Sequence, residues 1–354
     1  MRSRSPRPTA AIVSYRLGGP DGVSVEAAKW AWALERLGFA VRTVAGSGEA
    51  GVIVPGLVAA PAGDAAPAAE EEVRAALSGA DVVVVENLCS LPLNPAASEV
   101  VAAVLAGRPA VLHHHDLPWQ RPQFAASPAP PDDPAWVHVT INELSRRQLD
   151  QRGIQATTIR NAFDPQPPAG HREHTRRRLG VAAGERLLVH PSRALARKGV
   201  PEAVALAEAL EATYWLLGPA EDGYGPELER VLAAARVPVH HGRLAELGLT
   251  VADAYAASDA VVFSSTWEGF GNPVLESALY RRPLAIRLYP VAEELAAFGF
   301  RWFPADDPAP LDAWLRRPDP DLLDHNQAVA RREFSLHDLP ARIASLFEAA
   351  GWSL

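Results

Sequence analysis

The chain of 354 residues contains one cysteine, Cys89, and no methionine after the first residue. A lone cysteine excludes an internal disulfide and fits a reducing compartment. Basic residues are in deficit: 34 lysines and arginines against 42 aspartates and glutamates give a formal charge of −8. That balance argues against a nucleic-acid-binding surface or a broadly basic membrane face. No apolar run reaches the roughly 18 residues that a membrane span needs. The start, "MRSRSPRPTAAIVSYR", is basic, but its apolar stretch is too short for a secretory signal and runs into a strand. A cytoplasmic location is the expectation.

What is present is ordinary for a soluble globular protein: 48% hydrophobic and 21% charged residues. The length suits two domains of roughly 150 to 180 residues each. Short apolar runs ("TAAIVSYR", "FAVRTVAG", "ADVVVVEN", "RPAVLHHHD") alternate with helical spacing as in "VEAAKWAWALERLG" and "PAASEVVAAVLAG". Continuous apolar strands between helices indicate a parallel sheet covered on both faces. "DPQPPAG", Asp164 to Gly170, is the best linker, and the pattern restarts after it with "RLLVHPSR", "TYWLLG", "DAVVFSS" and "RPLAIRL". "AAPAGDAAPAAEEEV" is low-complexity and reads as a surface loop leading into a helix. The reading is an α/β protein of two facing Rossmann-like domains with a cleft between them. Ligands in such sheets bind at the carboxyl ends of strands, so the loops that follow strands matter most.

One such loop is "STWEGFGNPVLESALYRRP", with Glu268 and Glu276 eight positions apart around a glycine-bearing turn. Asn272 suits a helix cap and Pro273 a first helical position, which leaves the N–H groups of residues 269 to 274 free beside the positive end of a helix. Two carboxylates flanking an anion site suit a ligand with hydroxyls on either side of a negative charge, as a sugar nucleotide has. The blander alternative is a dipole partner and a solvated loop residue. A second loop, "HPSRALARKGVPEA", carries Arg193 and Lys198 before a proline-started helix. Two cations there can neutralise a pyrophosphate without a metal.

Together, "SRALARKG" and, about seventy residues later, "EGFGNPVLE" resemble the retaining GT-B glycosyltransferases of glycosyltransferase family 4. The resemblance extends to "GGPDGVS", "HHDLP", "TIRNAFDP" and the last helix, "DLPARIASLFEAAGW". It implies the GT-B fold, an N-terminal acceptor domain over residues 1–163 with a C-terminal helix (about 336–354) crossing back to it, and a donor domain over 164–335. It further implies transfer of a hexosyl unit from a nucleotide-diphosphate sugar to a hydroxyl acceptor with retained configuration and no cofactor or metal. In that scheme Arg193 and Lys198 hold the diphosphate and Glu276 the ribose. Glu268 takes the sugar hydroxyls, Gly269 extends the same turn, and the backbone of Phe270, Gly271 and Asn272 meets sugar and phosphate. His115, before Asp116, lines the sugar pocket near the reacting carbon.

In the first half, Gly18, Gly19 and Gly22 of "LGGPDGVS" allow close approach of an acceptor or phosphate, but their spacing is not the dinucleotide fingerprint, and "FAVRTVAG" ends without an acid. Period-two alternation sets His113 and His115 of "HHHD" on one face and His114 on the other. A metal would want further ligands, and no neighbouring run supplies them. Asp116, Trp119 and Arg121 are acceptor-pocket candidates or else turn and surface residues. His240, His241, Gly242 and Arg243 are weaker candidates beside a base, and Trp30 and Trp32 read as packing residues. The competing functions are an epimerase or phosphorylase on the same fold, or a non-catalytic sugar-nucleotide sensor. No nucleic-acid partner is expected.

Overall fold

The computed structural model describes residues 7–19, 21–59 and 68–352. The chain divides into two compact units, one formed by residues 1–162 and 336–354, the other by 163–335.

The first unit is a seven-stranded sheet in the order β3-β2-β1-β4-β5-β6-β7. Its strands are β1 (Thr9–Leu17), β2 (Ala40–Gly48), β3 (Val52–Ile53), β4 (Val82–Glu86), β5 (Ala110–His114), β6 (Trp136–Thr140) and β7 (Ala156–Thr158). All pairings are parallel. Alternation divides the side chains between two cores: Ala11, Val13, Val83 and Val85 enter one, Ala10, Ile12, Val82 and Val84 the other. The second core is closed by Trp30, Ala33 and Leu34 of the helix Gly22–Arg36. It is also closed by Leu339, Ile343, Leu346 and Phe347, whose spacing makes one apolar stripe on the helix Leu339–Ala349. That stripe is why the end of the chain belongs to this unit.

The second unit has six parallel strands in the order β10-β9-β8-β11-β12-β13. These are β8 (Arg186–His190), β9 (Ala212–Leu216), β10 (Val239–His241), β11 (Ala260–Phe263), β12 (Leu284–Ile286) and β13 (Phe303–Pro304). Again two cores share the sheet, with Leu188, Tyr214 and Val262 on one side and Leu187, Val189 and Trp215 on the other. Chain entry and exit lie side by side, since Phe163 bridges Ser335 and its N–H donates to Phe334 O at 2.7 Å. Phe163, given to the first domain by sequence, therefore belongs to the second unit. In both sheets the strand order reverses between the first and fourth strands, where loops on the two sides diverge and a ligand crevice forms.

Two short strands, β3 and β13, carry too little pattern to be read from sequence. Of the low-complexity stretch, residues 60–67 lie outside the described residues, and the helix it leads to is Glu70–Ala76.

Candidate functional site at the carboxyl edge of the second sheet

The loop after β8 and the loop after β11 meet at the strand-order reversal of the second unit. Ser264 Oγ donates to Lys198 O at 3.0 Å and to Gly199 O at 2.7 Å, and Thr266 N–H donates to Arg197 O at 2.8 Å. Gly199 is left-handed (φ 64°), and a Cβ there would lie 2.4 Å from Ser264 O, so only glycine lets the two loops close.

On this joint Lys198 Nζ donates to Glu268 Oε1 at 2.5 Å, and Arg197 Nη1 lies 3.1 Å from Glu268 Oε2. Both Lys198 and Glu268 are buried. Burial pushes the Lys198 ammonium below its ordinary value, against the opposing pull of Glu268. Burial also acts to raise the Glu268 carboxyl, but Lys198 and then Arg197 outweigh it and the net shift is downward. Beneath them His190 is fully buried with its Nδ1 2.8 Å from Tyr214 Oη, and desolvation with the Lys198 charge takes it down to about 3, so it is neutral. Arg193 is half-buried and its Nη1 donates to Glu221 Oε2 at 2.5 Å.

The glycine turn follows. The strand β11 stops at Phe263, so Glu268 sits in the loop, five residues beyond it. The helix is Asn272–Leu279, and its N-cap is Gly271 rather than Asn272, with no side-chain cap bond. The reason is backbone geometry. Gly271 has φ 101°, and a Cβ there would lie 1.9 Å from Tyr289 Oη, which itself donates to Phe270 O at 2.8 Å. Glu276 is half-buried on that helix. Tyr255, fully buried on the helix Val251–Ala257, donates from Oη to Glu276 Oε2 at 2.7 Å and stacks on Tyr280 at 4.8 Å. Sequence reasoning passed over Arg197, Glu221 and Tyr255. Arg197 was legible as a third cation beside Lys198; the other two lie 28 and 21 residues from their partners and carried no local signal.

In the first unit, His115 follows β5, and alternation does separate the three histidines. His113 Nδ1 lies 2.9 Å and His115 Nε2 2.6 Å from the same oxygen, Glu86 Oε2. His114 points the other way, with Ser90 Oγ 2.6 Å from its Nδ1 and His138 Nδ1 2.9 Å from its Nε2. Glu86, at the end of β4, accepts from both rings and brings a third metal-ligand-type atom within 4.8 Å of theirs, a neighbour that sequence reasoning did not attach to the histidines. Asn87 Oδ1 accepts from the N–H of His115 (3.1 Å) and of Asp116 (3.2 Å), which fixes the turn. Asp116 pairs with Arg121 at 3.0 Å. Trp119 donates to Gln148 at 2.9 Å under the Arg152 guanidinium, and so packs on its own unit.

Gly18 is left-handed (φ 78°), Gly19 lies beside Asp21, and Gly22 begins the helix that Asp21 caps. A cavity of about 300 Å³ in this unit is lined by Ser14, Tyr15, Arg16, Asp21, Ser47 and Asn87, and the three glycines are not among its lining residues. On the edge strand β10, His241 Nε2 donates to Gly218 O at 3.0 Å, Trp215 donates to Gly242 O at 2.8 Å, and Arg243 Nη1 lies 3.4 Å from His240 Nδ1. Trp30 is buried 4.6 Å from the His113 ring, while Trp32 lies under Arg36.

Two parallel-sheet Rossmann-like units with ligand-type loops at their carboxyl edges define the α/β GT-B fold class. No protein-family model matches the sequence. The chain is similar to the mannosylglucosylglycerate synthase of Thermotoga maritima, 24% identical over 93% of this chain and 97% of the relative. Among solved structures it resembles Anabaena Alr3699/HepE in complex with UDP-glucose (TM-score 0.71, 20% identity, 96% of this chain and 99% of that one). It also resembles the sucrose-phosphate synthase of Thermosynechococcus elongatus (TM-score 0.73, 13% identity, 97% and 99%). No helix among the described residues is long and apolar enough to cross a membrane.

Proposed function

We propose that the protein is a retaining, metal-independent glycosyltransferase of family 4 that moves a hexosyl unit from a nucleotide-diphosphate sugar to a hydroxyl acceptor. The observation that carries the reading is the joint of two loops at one strand-order reversal, where Arg197 and Lys198 pair with Glu268 near Arg193, and the Gly271 turn leads from there into the helix of Glu276. Arg193 and Lys198 take the diphosphate, and their charges stabilise the negative charge that grows on it as the glycosidic bond breaks. The carboxylates Glu221 and Glu268 hold these cations in place before the donor arrives. Glu276, oriented by Tyr255, accepts from the ribose hydroxyls, and Glu268 with the turn from Gly269 to Asn272 receives the sugar. His115 and Asp116 serve the sugar and acceptor side, beside the Gly18, Gly19 and Gly22 loop.

Support comes from the likeness over nearly the full length to a mannosylglucosylglycerate synthase, and from a fold shared with a protein solved in complex with UDP-glucose, and with UDP and glucose. A small polar acceptor is in keeping with the first. We read the reaction as a front-side displacement in which the leaving diphosphate takes the acceptor's proton. No nucleic acid or membrane partner is part of this reading, and the chain works in the cytoplasm.

The test is a thermal-shift screen of nucleoside diphosphates and their sugars, because a ligand that binds only the folded state raises the melting temperature. Turnover of the stabilising donor is then followed in EDTA, with the anomeric configuration of the product read by NMR. Donor hydrolysis or epimerisation without transfer, or inversion of configuration, would overturn the reading.

A further inference from the structure

The densest buried charge outside the donor loops is the group Glu86, His113 and His115. We propose that Glu86 is a positioning residue for His115, turning its Nε2–H inward and leaving Nδ1 as the nitrogen offered to a ligand; the proposal rests on the role given above to His115. Glu86 ends β4 and lies in register with His113 on β5. Its side chain is wholly buried, and one oxygen, Oε2, stands within hydrogen-bond distance of both rings. A carboxylate only accepts, so His113 Nδ1 and His115 Nε2 both carry hydrogen. Among the described residues His115 Nδ1 has no hydrogen-bond partner. The His113 ring lies 4.6 Å from Trp30 and 4.5 Å from His115, which blocks rotation.

Burying a carboxylate costs several kcal/mol unless a partner offsets it. Pairing the two strands does not require it, because the backbone ladder already joins β4 to β5. One extra proton on the imidazoles makes the assembly neutral. Burial lowers the His115 ring, but the Glu86 bond and charge, then Glu26 and Asp116, raise it above its ordinary 6.5. Glu86 is held at about 2 by His113 and His115 against its own burial. The charged and titratable groups around His115 are thus Glu86 from β4, His113 from β5, Glu26 from the helix Gly22–Arg36 (paired there with Lys29), and Asp116, which Arg121 neutralises, with His114 turned to the opposite face of β5. Below its raised pKa the ring donates from Nδ1 to a sugar oxygen. Above it, Nδ1 becomes an acceptor and the limb of the pH profile appears.

The test is 15N NMR of the whole protein labelled at histidine, with His115 assigned through His115→Asn. In the wild type His115 Nε2 stays protonated while Nδ1 titrates above 6.5. In Glu86→Gln the titration and the matching limb of kcat/KM move down by about 1 to 3 pH units, as loss of an adjacent opposite charge does. kcat falls while donor KM is little changed. A wild-type His115 with Nδ1 protonated and Nε2 bare overturns the proposal, as does an unmoved titration in Glu86→Gln. Zn²⁺ or Mn²⁺ shifting both rings at one equivalent also overturns it, since a metal would take the nitrogens that face Glu86. If Glu86→Gln does not fold, the wild-type titration and Glu86→Asp decide. Unimpaired transfer by His115→Ala sinks the catalytic role of His115, whereas the NMR result judges Glu86 separately.

Discussion

The two units carry the same sheet order but hold buried charge in different ways at their carboxyl edges. In the second, Lys198, Arg197 and Glu268 form ion pairs on a joint of two loops, and Arg193 pairs with Glu221. In the first, Glu86 Oε2 accepts from two imidazoles, His113 Nδ1 and His115 Nε2, of which the Glu86 bond and charge raise His115 above its ordinary value. Fixed charges suit a diphosphate, which is an anion at every relevant pH. A histidine group suits a step in which a proton or a neutral hydroxyl must be met. The comparison teaches that one topology leaves the edge chemistry to a few loop residues.

The sharpest test of the ionic edge is Lys198→Ala. It removes the cation proposed to meet the developing phosphate charge, so kcat should fall about 10²- to 10³-fold. It also strips a buried partner from Glu268, leaving Arg197 alone with it, so the melting temperature should drop as well. An activity near wild type in a steady-state assay would refute the assignment of Lys198 to the diphosphate.

Next in size is Gly271→Ala. The left-handed φ and the clash with the Tyr289 hydroxyl should cost about 1 to 3 kcal/mol in urea unfolding and uncouple the turn from the helix. The equivalent change at Gly22, where a Cβ meets nothing within 4 Å, should be close to neutral. If both behave alike, the two glycine turns do not differ as described.

Tyr255→Phe should weaken nucleoside diphosphate binding by roughly 5- to 10-fold, the worth of one hydrogen bond orienting Glu276. Glu276→Ala should lose more, while Glu268→Ala should weaken the intact donor far more than the diphosphate. Calorimetry with diphosphate and with donor separates these outcomes, and equal losses in both titrations contradict the division of roles.

A smaller effect is expected in acid. Glu86 is lowered from its ordinary 4.5 to about 2, and a group depressed on folding contributes stability above its unfolded value that is lost as pH falls through the folded one. Thermal stability should hold above pH 4.5 and decline toward pH 2, and Glu86→Gln should flatten that decline. The smallest effect of all is expected from EDTA, which should leave transfer unchanged if cationic side chains do the work of a metal.

Much of this was legible along the chain. Apolar runs between helical spacings are local signals, and a parallel sheet covered on both faces follows from them because the central strands bury both of their faces. The R-x4-K and E-x7-E spacings put Arg193, Lys198 and Glu268 in segments after strands and Glu276 in the helix that follows, since strand-to-helix turns are short and sequence-local. Alternation alone divided His113 and His115 from His114. What the sequence could not express is partnership at long range. Lys198 meets Glu268 over 70 residues, His115 meets Glu86 over 29, and Gly271 caps the helix only because Tyr289 stands where a Cβ would go. Backbone propensity and periodicity act within a few residues, so composition and spacing by themselves determined the sheets, the loops and the types of charge. Which charge is buried, which is paired, and which nitrogen of a histidine stays open was decided by tertiary packing, because desolvation and hydrogen bonding depend on neighbours that only the folded chain brings together.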